Sequence, residues 1–247
     1  MKLLFTFIII GTSLATGYCQ SATDYYKKGL SQSREGNHKS AISYFNKANE
    51  LKPNEPIYYF QRGYSKSELQ DYRGAIADYN KAIELSLLLT TNSNAISGTV
   101  AAMYKNRGAI KSELQDYRGA IADYNKAIEL DPNDYQIYDN RGTAKFMLQD
   151  YRGAIADYNK AIELDPRHAD IYVNRGAAKM ELQDYRGVIA DGNRATFLDP
   201  SYAKAYALMG LTKVLYLGQK DSGCYDLSKA AELGFEQGYD LIREHCN

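Results

Sequence analysis

One string of residues, LQDYRGAIADYNKAIEL, occurs three times without a change, beginning at Leu69, Leu114 and Leu148. An altered fourth copy begins at Leu182. A chain that repeats itself in this way folds as a stack of one small unit, because a unit alone cannot bury its apolar face whereas a stack buries a continuous core. The string therefore predicts an extended array of similar units.

Glycines mark the period of the array. They recur at intervals of 34, 45, 34, 34 and 34 residues, so the one long interval is a period with 11 inserted residues. The insertion falls within residues 86–97 and contains Leu87 to Leu89. It is compatible with two structures, longer flanking helices or a projecting loop. The marker glycines are Gly29, Gly63, Gly108, Gly142, Gly176 and Gly210.

Each unit has the pattern of two amphipathic helices. In the second half of one unit, Ile155, Tyr158 and Ile162 follow one another at i, i+3 and i+7, which is one face of a helix. Asp150 is a good N-cap for this helix, and Asp165 ends it because the next residue is a proline. We expect a helix-turn-helix unit.

Composition and motifs narrow the function classes. The formal net charge is zero and the chain has no block rich in Lys or Arg, which disfavours nucleic acid as a partner. His38, His168 and His245 lie in different units without metal-ligand spacing, and no nucleophile elbow, phosphate loop or Cys/His constellation occurs. We therefore expect no enzymatic activity, no metal and no small-molecule cofactor.

The unit resembles the tetratricopeptide repeat. The 34-residue pattern of that family asks for an aromatic residue, Gly, Ala, an aromatic residue, Ala and Pro in this order. The resemblance covers residues 22–233 as six units and implies an all-α, right-handed superhelical α-solenoid, which residues 234–247 close with a C-terminal capping helix. The matching residues of one unit are Tyr138, Gly142, Ala154, Tyr158, Ala161 and Pro166.

The units share three departures from the family pattern: an Arg just before the glycine, a Lys three residues after it and an Asp in the second helix. Their regular recurrence favours a structural role over a catalytic carboxylate. We interpret them as ion pairs along a solvated seam, with Arg and Asp as partners, and exposed pairs contribute only about 0 to 1 kcal/mol each. They are Arg62, Arg107, Arg141 and Arg175, then Lys66, Lys111, Lys145 and Lys179, then Asp78, Asp123, Asp157 and Asp191.

The N-terminus has the pattern of a secretory signal peptide over residues 1–19. Lys2 precedes an apolar run, residues 3–10, that is too short to span a bilayer as a stop-transfer helix. Cleavage after residue 17 or residue 19 fits the small residues there. Lipidation of Cys19 is less favoured, because Tyr18 stands where a small residue is usual. We expect an exported protein in the periplasm, cell envelope or medium, associated with a membrane only if Cys19 is lipidated.

Two cysteines near the C-terminus are spaced for a disulfide. Cys224 lies 10 residues before Gly234 and Cys246 lies 12 after it, so a hairpin that turns at this glycine brings them to nearly the same height. An exported protein can keep such a bond. We expect it to fix the C-terminal cap.

The first helices differ between units, whereas the second helices are copied. In tetratricopeptide arrays the first helices line the concave groove, so the resemblance implies that the variable half binds a protein or peptide. Three asparagines recur there, Asn106, Asn140 and Asn174, and an amide can bond a peptide unit of an extended ligand. The neighbouring side chains that differ between units, and so could set specificity, are Lys105, Phe146, Met147 and Met180.

Two alternatives stay open at this stage. The protein could be an assembly component of a cell-envelope complex that docks through the 86–97 insertion or the convex face, and an enzyme or enzyme-accessory role ranks third. One irregularity is structural: Gly192 replaces a tyrosine inside a second helix, costs about 1 kcal/mol of helix propensity and predicts a void.

Overall fold

The computed structural model describes residues 20–89 and 94–246, which form helices joined by short turns. The proposed signal peptide, Cys19 and residues 90–93 lie outside this part. No helix in the described ranges is long and apolar enough to cross a membrane. The helices are α1 Ala22–Arg34, α2 His38–Leu51, α3 Pro56–Glu68, α4 Tyr72–Leu89, α5 Asn94–Glu113, α6 Tyr117–Leu130, α7 Tyr135–Met147, α8 Tyr151–Leu164, α9 Ala169–Glu181, α10 Tyr185–Leu198, α11 Ala203–Tyr216, α12 Lys220–Glu232 and α13 Gln237–His245.

The helices pack as six units of two, unit 1 being α1 with α2 and unit 6 being α11 with α12. The second helix of each unit packs on the first helix of the next, and we call this contact a joint. The predicted all-α repeat solenoid is confirmed. The insertion lengthens the helices beside it, since α4 has 18 residues and α5 has 20, against 14 in α8 and 13 in α7.

The turn inside each unit depends on one residue with a positive φ. In units 2 to 5 this residue is a glutamine, with φ between 60° and 63°. At the turn in unit 4, the amide of Asp150 bonds the carbonyl of Lys145 at 2.9 Å, the six-to-one bond of a Schellman motif. The carboxylate of Asp150 then accepts the amide of Gly153 at 3.0 Å and so caps α8, as predicted. The four glutamines are Gln70, Gln115, Gln149 and Gln183.

The glycine of each first helix lets a tyrosine of the second helix pack against its backbone. A Cβ atom added to Gly142 would lie 2.8 Å from the ring of Tyr158, and the same distance separates Gly108 from Tyr124. These tyrosines are almost fully buried, and the alanines beside them have no exposed surface. The small residues thus set the helix spacing, as the sequence predicts.

The predicted Arg–Asp pairs form, but they are not exposed. Arg141 donates from Nε and Nη2 to the two carboxylate oxygens of Asp157, at 2.9 and 2.6 Å, and Lys145 lies 2.8 Å from the same carboxylate. The side chain of Asp157 is only 5% exposed. The expected solvated seam is therefore wrong: the carboxylate lies inside the array because two cations compensate its burial.

The same arginine crosses the joint. Nη1 of Arg141 donates to Oδ1 of Asn125, in the second helix of the preceding unit, at 2.7 Å. Its guanidinium also lies 5.6 Å from the ring centre of Tyr138. We call this set of bonds the arginine bridge. It is repeated at each of the first four joints, with Arg62 and Asn46, Arg107 and Asn80, Arg141 and Asn125, and Arg175 and Asn159.

The last joint, between units 5 and 6, is built from apolar contacts. Met209 takes the place of the bridging arginine, and a Cβ atom on Gly192 would collide with its Cγ. Leu208 packs on Gly176 in the same way, at 2.9 Å. The void expected at Gly192 is therefore absent, because the side chains of Leu208 and Met209 fill the space that a tyrosine takes in the earlier units.

The C-terminal helix is fastened by the disulfide that the spacing predicts. Cys224 and Cys246 are joined, with Cα atoms 5.8 Å apart. Helix α13 packs on α12 and touches α11, and Gly238 lies directly against Ala231. The bond therefore holds α13 over the last unit.

Candidate binding groove

The first helices form the inner wall of the array. Those of successive units come within 8 Å of each other between Cα atoms, as α3 does to α5 and α7 to α9, whereas no two second helices do so in the described chain. In a curved stack, the helices that approach their counterparts lie on the inside. The surface that varies in sequence is therefore the inner one, and the copied string forms the outer wall.

The inner wall is indented at the joint between units 2 and 3. A cavity of about 300 Å³ opens there between α3 and α5. Asn106 lies in its wall near the hydroxyl of Tyr79, whose pKa burial raises to about 12. Two carboxylates, Glu68 and Glu113, lie at its margin and are exposed. The cavity thus combines an aromatic floor with an acidic margin.

The three asparagines predicted to bind a ligand differ in their surroundings. Asn106 lies near the hydroxyl of Tyr79, and Nδ2 of Asn174 donates to Oδ1 of Asp139 at 3.3 Å. Asn140 is partly buried and makes no hydrogen bond to another described residue. Of the three, Asn140 is the one whose amide the fold leaves free for a ligand.

Two of the predicted specificity residues are held by the fold. Nζ of Lys105 lies 2.7 Å from the carboxylate of Asp134 and 2.8 Å from Oε1 of Gln136, so it ties unit 3 to unit 4. Phe146 packs on the core of unit 4 and meets Tyr151 edge-on, with ring centres 5.4 Å apart. These contacts leave both side chains less able to adapt to a ligand than the sequence suggests.

The two methionines of the inner wall are more accessible. Met147, at the end of α7, is 50% exposed, and Met180, near the end of α9, is partly buried. Flexible thioether side chains adapt to ligands of different shape. Together with Asn140 they form the adaptable part of the wall, across units 4 and 5.

Sequence reasoning missed Asp139, the residue beside Asn140. Burial raises its pKa to about 6, and the charge of Asp170 adds to this, whereas the hydrogen bond from Asn174 opposes it. The corresponding residues of units 3 and 5 are Lys105 and Val173. The change from a cationic to an anionic to an apolar side chain at this position could have drawn attention to it. Nothing in the sequence, however, shows that the carboxylate of Asp139 is partly buried.

Models of one repeat family match most of the array. Models described as tetratricopeptide repeat match residues 25–55, 57–87 and 101–134, and one described as TPR repeat matches residues 142–183. The chain is a tetratricopeptide repeat protein. A search of curated proteins found no match to it.

Solved structures share the fold at low sequence identity. PilF of Pseudomonas aeruginosa superposes with a TM-score of 0.73 at 15% identity, over 90% of this chain and 96% of that one. The C-terminal part of a TPR repeat-containing protein of Cytophaga hutchinsonii gives 0.71 at 18% identity, over 89% and 83%. YrrB, described as a TPR protein with an unusual peptide-binding site, gives 0.64 at 22% identity, over 81% and 97%. These likenesses show a common fold.

Proposed function

We propose that this tetratricopeptide repeat protein is a non-enzymatic scaffold that binds an extended peptide, or an extended segment of a protein, along its inner wall. One observation carries the proposal. The wall is built from the helices that differ between units, and at its centre it presents Asn140, which forms no hydrogen bond within the described chain. The second helices of units 2 to 4 are copied verbatim, and an asparagine of each is used in a joint.

The spacing of the units suits an extended chain. Packed helices lie about 8 to 10 Å apart, so corresponding groups of successive two-helix units are separated by several residues of an extended peptide, which advances about 3.3 Å per residue. An amide such as that of Asn140 can both donate to and accept from a peptide unit. Met147 and Met180 supply apolar surface elsewhere on the same wall. The peptide-binding site named for YrrB supports this assignment by analogy of fold.

The proposed setting is outside the cytoplasm. The apolar segment after Lys2 has the features of a signal peptide, and the disulfide between Cys224 and Cys246 persists in oxidising compartments. Sequencing the N-terminus of the protein recovered from the producing cells tests this. A mature chain that begins after residue 17 or residue 19 is expected, whereas an intact Met1 contradicts export by this signal.

The groove is tested by replacing Asn140, since that amide supports no contact of the fold. Asn140→Ala is expected to reduce the capture of partners from envelope extract by about tenfold, the loss that follows from one or two hydrogen bonds. Asn193→Ala is the matched control, because Asn193 is the exposed counterpart, in the second helix of unit 5, of the asparagines that the arginines bridge. Equal capture by the two variants contradicts groove binding.

A second candidate is docking through the outer end of α4. Leu87 and Leu88, within the 86–97 insertion, are 58% and 71% exposed there, and exposed leucines in succession are a feature of contact surfaces. Changing both to serine separates the two functions. Loss of the captured partners with this variant, and their retention with Asn140→Ala, would favour docking outside the groove.

A further inference from the structure

Asp139 is a partly buried carboxylate that, unlike the buried carboxylates of the array, has no cation beside it. Asp78, Asp123, Asp157 and Asp191 each accept from an arginine and a lysine. Asp139 is partly buried on the inner wall at the joint between units 4 and 5, makes no ion pair with a described residue, and accepts one hydrogen bond, from the neutral amide of Asn174 at 3.3 Å. Its burial is therefore not compensated by the fold.

The groups around Asp139 do not supply the missing charge. On the α9 side, Asp170 is also acidic, and the ring of His168 is already 3.1 Å from the carboxylate of Asp165. The other titratable neighbours are the phenols of Tyr124, Tyr158 and Tyr202. The only described lysine at the corresponding position of a neighbouring unit, Lys105, is paired with Asp134.

Two acceptor atoms near the hydrogen bond between Asn174 and Asp139 have no donor among the described residues. Asn174 uses its amide nitrogen on Oδ1 of Asp139, which leaves its own Oδ1 and the second carboxylate oxygen of Asp139 as acceptors. An ammonium or guanidinium group has only donors, so it matches two such acceptors. A neutral or anionic side chain would gain less here, or be repelled.

One position of the inner wall carries a carboxylate in units 2, 3 and 5, whereas it is Arg34 in unit 1 and Met147 in unit 4. Glu68 and Glu113 lie at the cavity between units 2 and 3, and Glu181 occupies the same position two periods further on. All three are exposed, whereas the chain as a whole is neutral. Because carboxylates recur along the groove, it favours a positively charged segment during encounter as well as in the complex.

We propose that the joint between units 4 and 5 is a subsite for a lysine or arginine side chain of the bound peptide, with Asp139 and Asn174 as its acceptors. The subsite rests on the proposed function, because it requires that a peptide lies in the groove. It adds a chemical class to the ligand: an extended, basic segment whose cation replaces the partner that the fold does not provide.

The test uses three immobilised pools of short random peptides that differ only in a fixed central residue, which is Lys, Gln or Glu. The purified protein is expected to bind the Lys pool about tenfold more than the Gln pool, as one charge-assisted hydrogen bond would give, and the Glu pool least. Asp139→Asn should lower binding of the Lys pool to that of the Gln pool and leave the Gln pool unchanged. Glu163→Gln removes the same charge from the outer wall and should change neither.

The outcomes separate this subsite from groove binding itself. Equal binding of the three pools overturns the subsite and leaves groove binding intact, provided that Asn140→Ala weakens all of them. Equal loss of the Lys pool in Asp139→Asn and Glu163→Gln also overturns it, because net charge would then explain the preference. Binding of no pool overturns the proposed function, and the subsite with it.

Discussion

The first four joints and the last joint of this array hold neighbouring units together by different means. At each of the first four, an arginine joins an aspartate of its own unit to an asparagine of the preceding one, for example Arg141 between Asp157 and Asn125. At the last, Met209 and Leu208 fill the space above two glycines. Hydrogen bonds and ion pairs thus fix the register between units at the first four joints, whereas the packing of apolar side chains fixes it at the last joint.

The largest expected effect comes from breaking one arginine bridge. Asp157→Asn leaves Arg141 and Lys145 without their anion in a region that is mostly closed to water, so we expect a loss of about 3 to 5 kcal/mol in the free energy of unfolding. Asp226→Asn in unit 6 is the comparison, because Asp226 pairs with Lys213 alone, at 2.6 Å. Urea denaturation followed by circular dichroism measures both. Equal losses would show that the bridge adds nothing to a simple ion pair.

Opening the disulfide tests how the other end is held. Cys224→Ser with Cys246→Ser removes a cross-link over 22 residues, which is worth about 3 kcal/mol by loop entropy. Because the last joint lacks an arginine bridge, amide exchange should quicken in α13 and α12 and stay slow in α7 and α8. Uniform quickening along the array would contradict this separation of the two regions.

The inner side of the joint between units 4 and 5 gives a pH test. Burial raises the pKa of Asp139 to about 6 from 3.8, so this group favours the folded state at low pH, and that contribution is lost as the pH rises through about 6. Asp139→Asn should therefore raise the free energy of unfolding by up to about 3 kcal/mol at pH above 7 and by little near pH 4. Urea titrations at the two pH values measure the free energy of unfolding of Asp139→Asn, with Glu163→Gln as the control. A variant less stable than the parent at the higher pH refutes the expectation.

The last joint can be rebuilt to resemble the others. Gly192→Tyr alone brings a side chain onto Met209 and should cost about 1 to 3 kcal/mol through overpacking. Adding Leu208→Asn and Met209→Arg restores the residues of the earlier joints, with Asp226 and Asn193 in place as partners, and should recover part of the loss. Thermal midpoints of the single and triple variants compare them. A triple variant as unstable as the single one would show that the bridge depends on more than these residues.

The sequence predicts the fold because its information is repeated. Three local features indicate the same helix-turn-helix unit. They are the period, the helix ends at Asp150 and Asp165, and the small residue at Gly142. The pairing of Cys224 with Cys246 could also be predicted, because a helix hairpin brings the two cysteines to nearly the same height along its axis.

The candidate site was less predictable, because burial and partners depend on helices from neighbouring units. Asn106 and Asn174 look alike in sequence, yet one lies near the hydroxyl of Tyr79 and the other bonds Asp139. The space beside Gly192 could not be predicted either, since Met209, which fills it, comes from the next unit. The sequence pattern shows which face of its helix a residue occupies, but not which side chain of a neighbouring unit packs against it.

The arginine bridge has a consequence for how such a chain can grow. The second helix of each of the first four units carries an asparagine that accepts a hydrogen bond from the arginine of the next unit. Each of these units therefore supplies the acceptor that a copy placed after it needs. A duplicated unit placed between two of them would find its partners on both sides without further change. Unit 6 cannot be extended in this way, because its first helix brings no arginine and its far side is sealed by α13. The array is open to lengthening from within and closed at its C-terminal end.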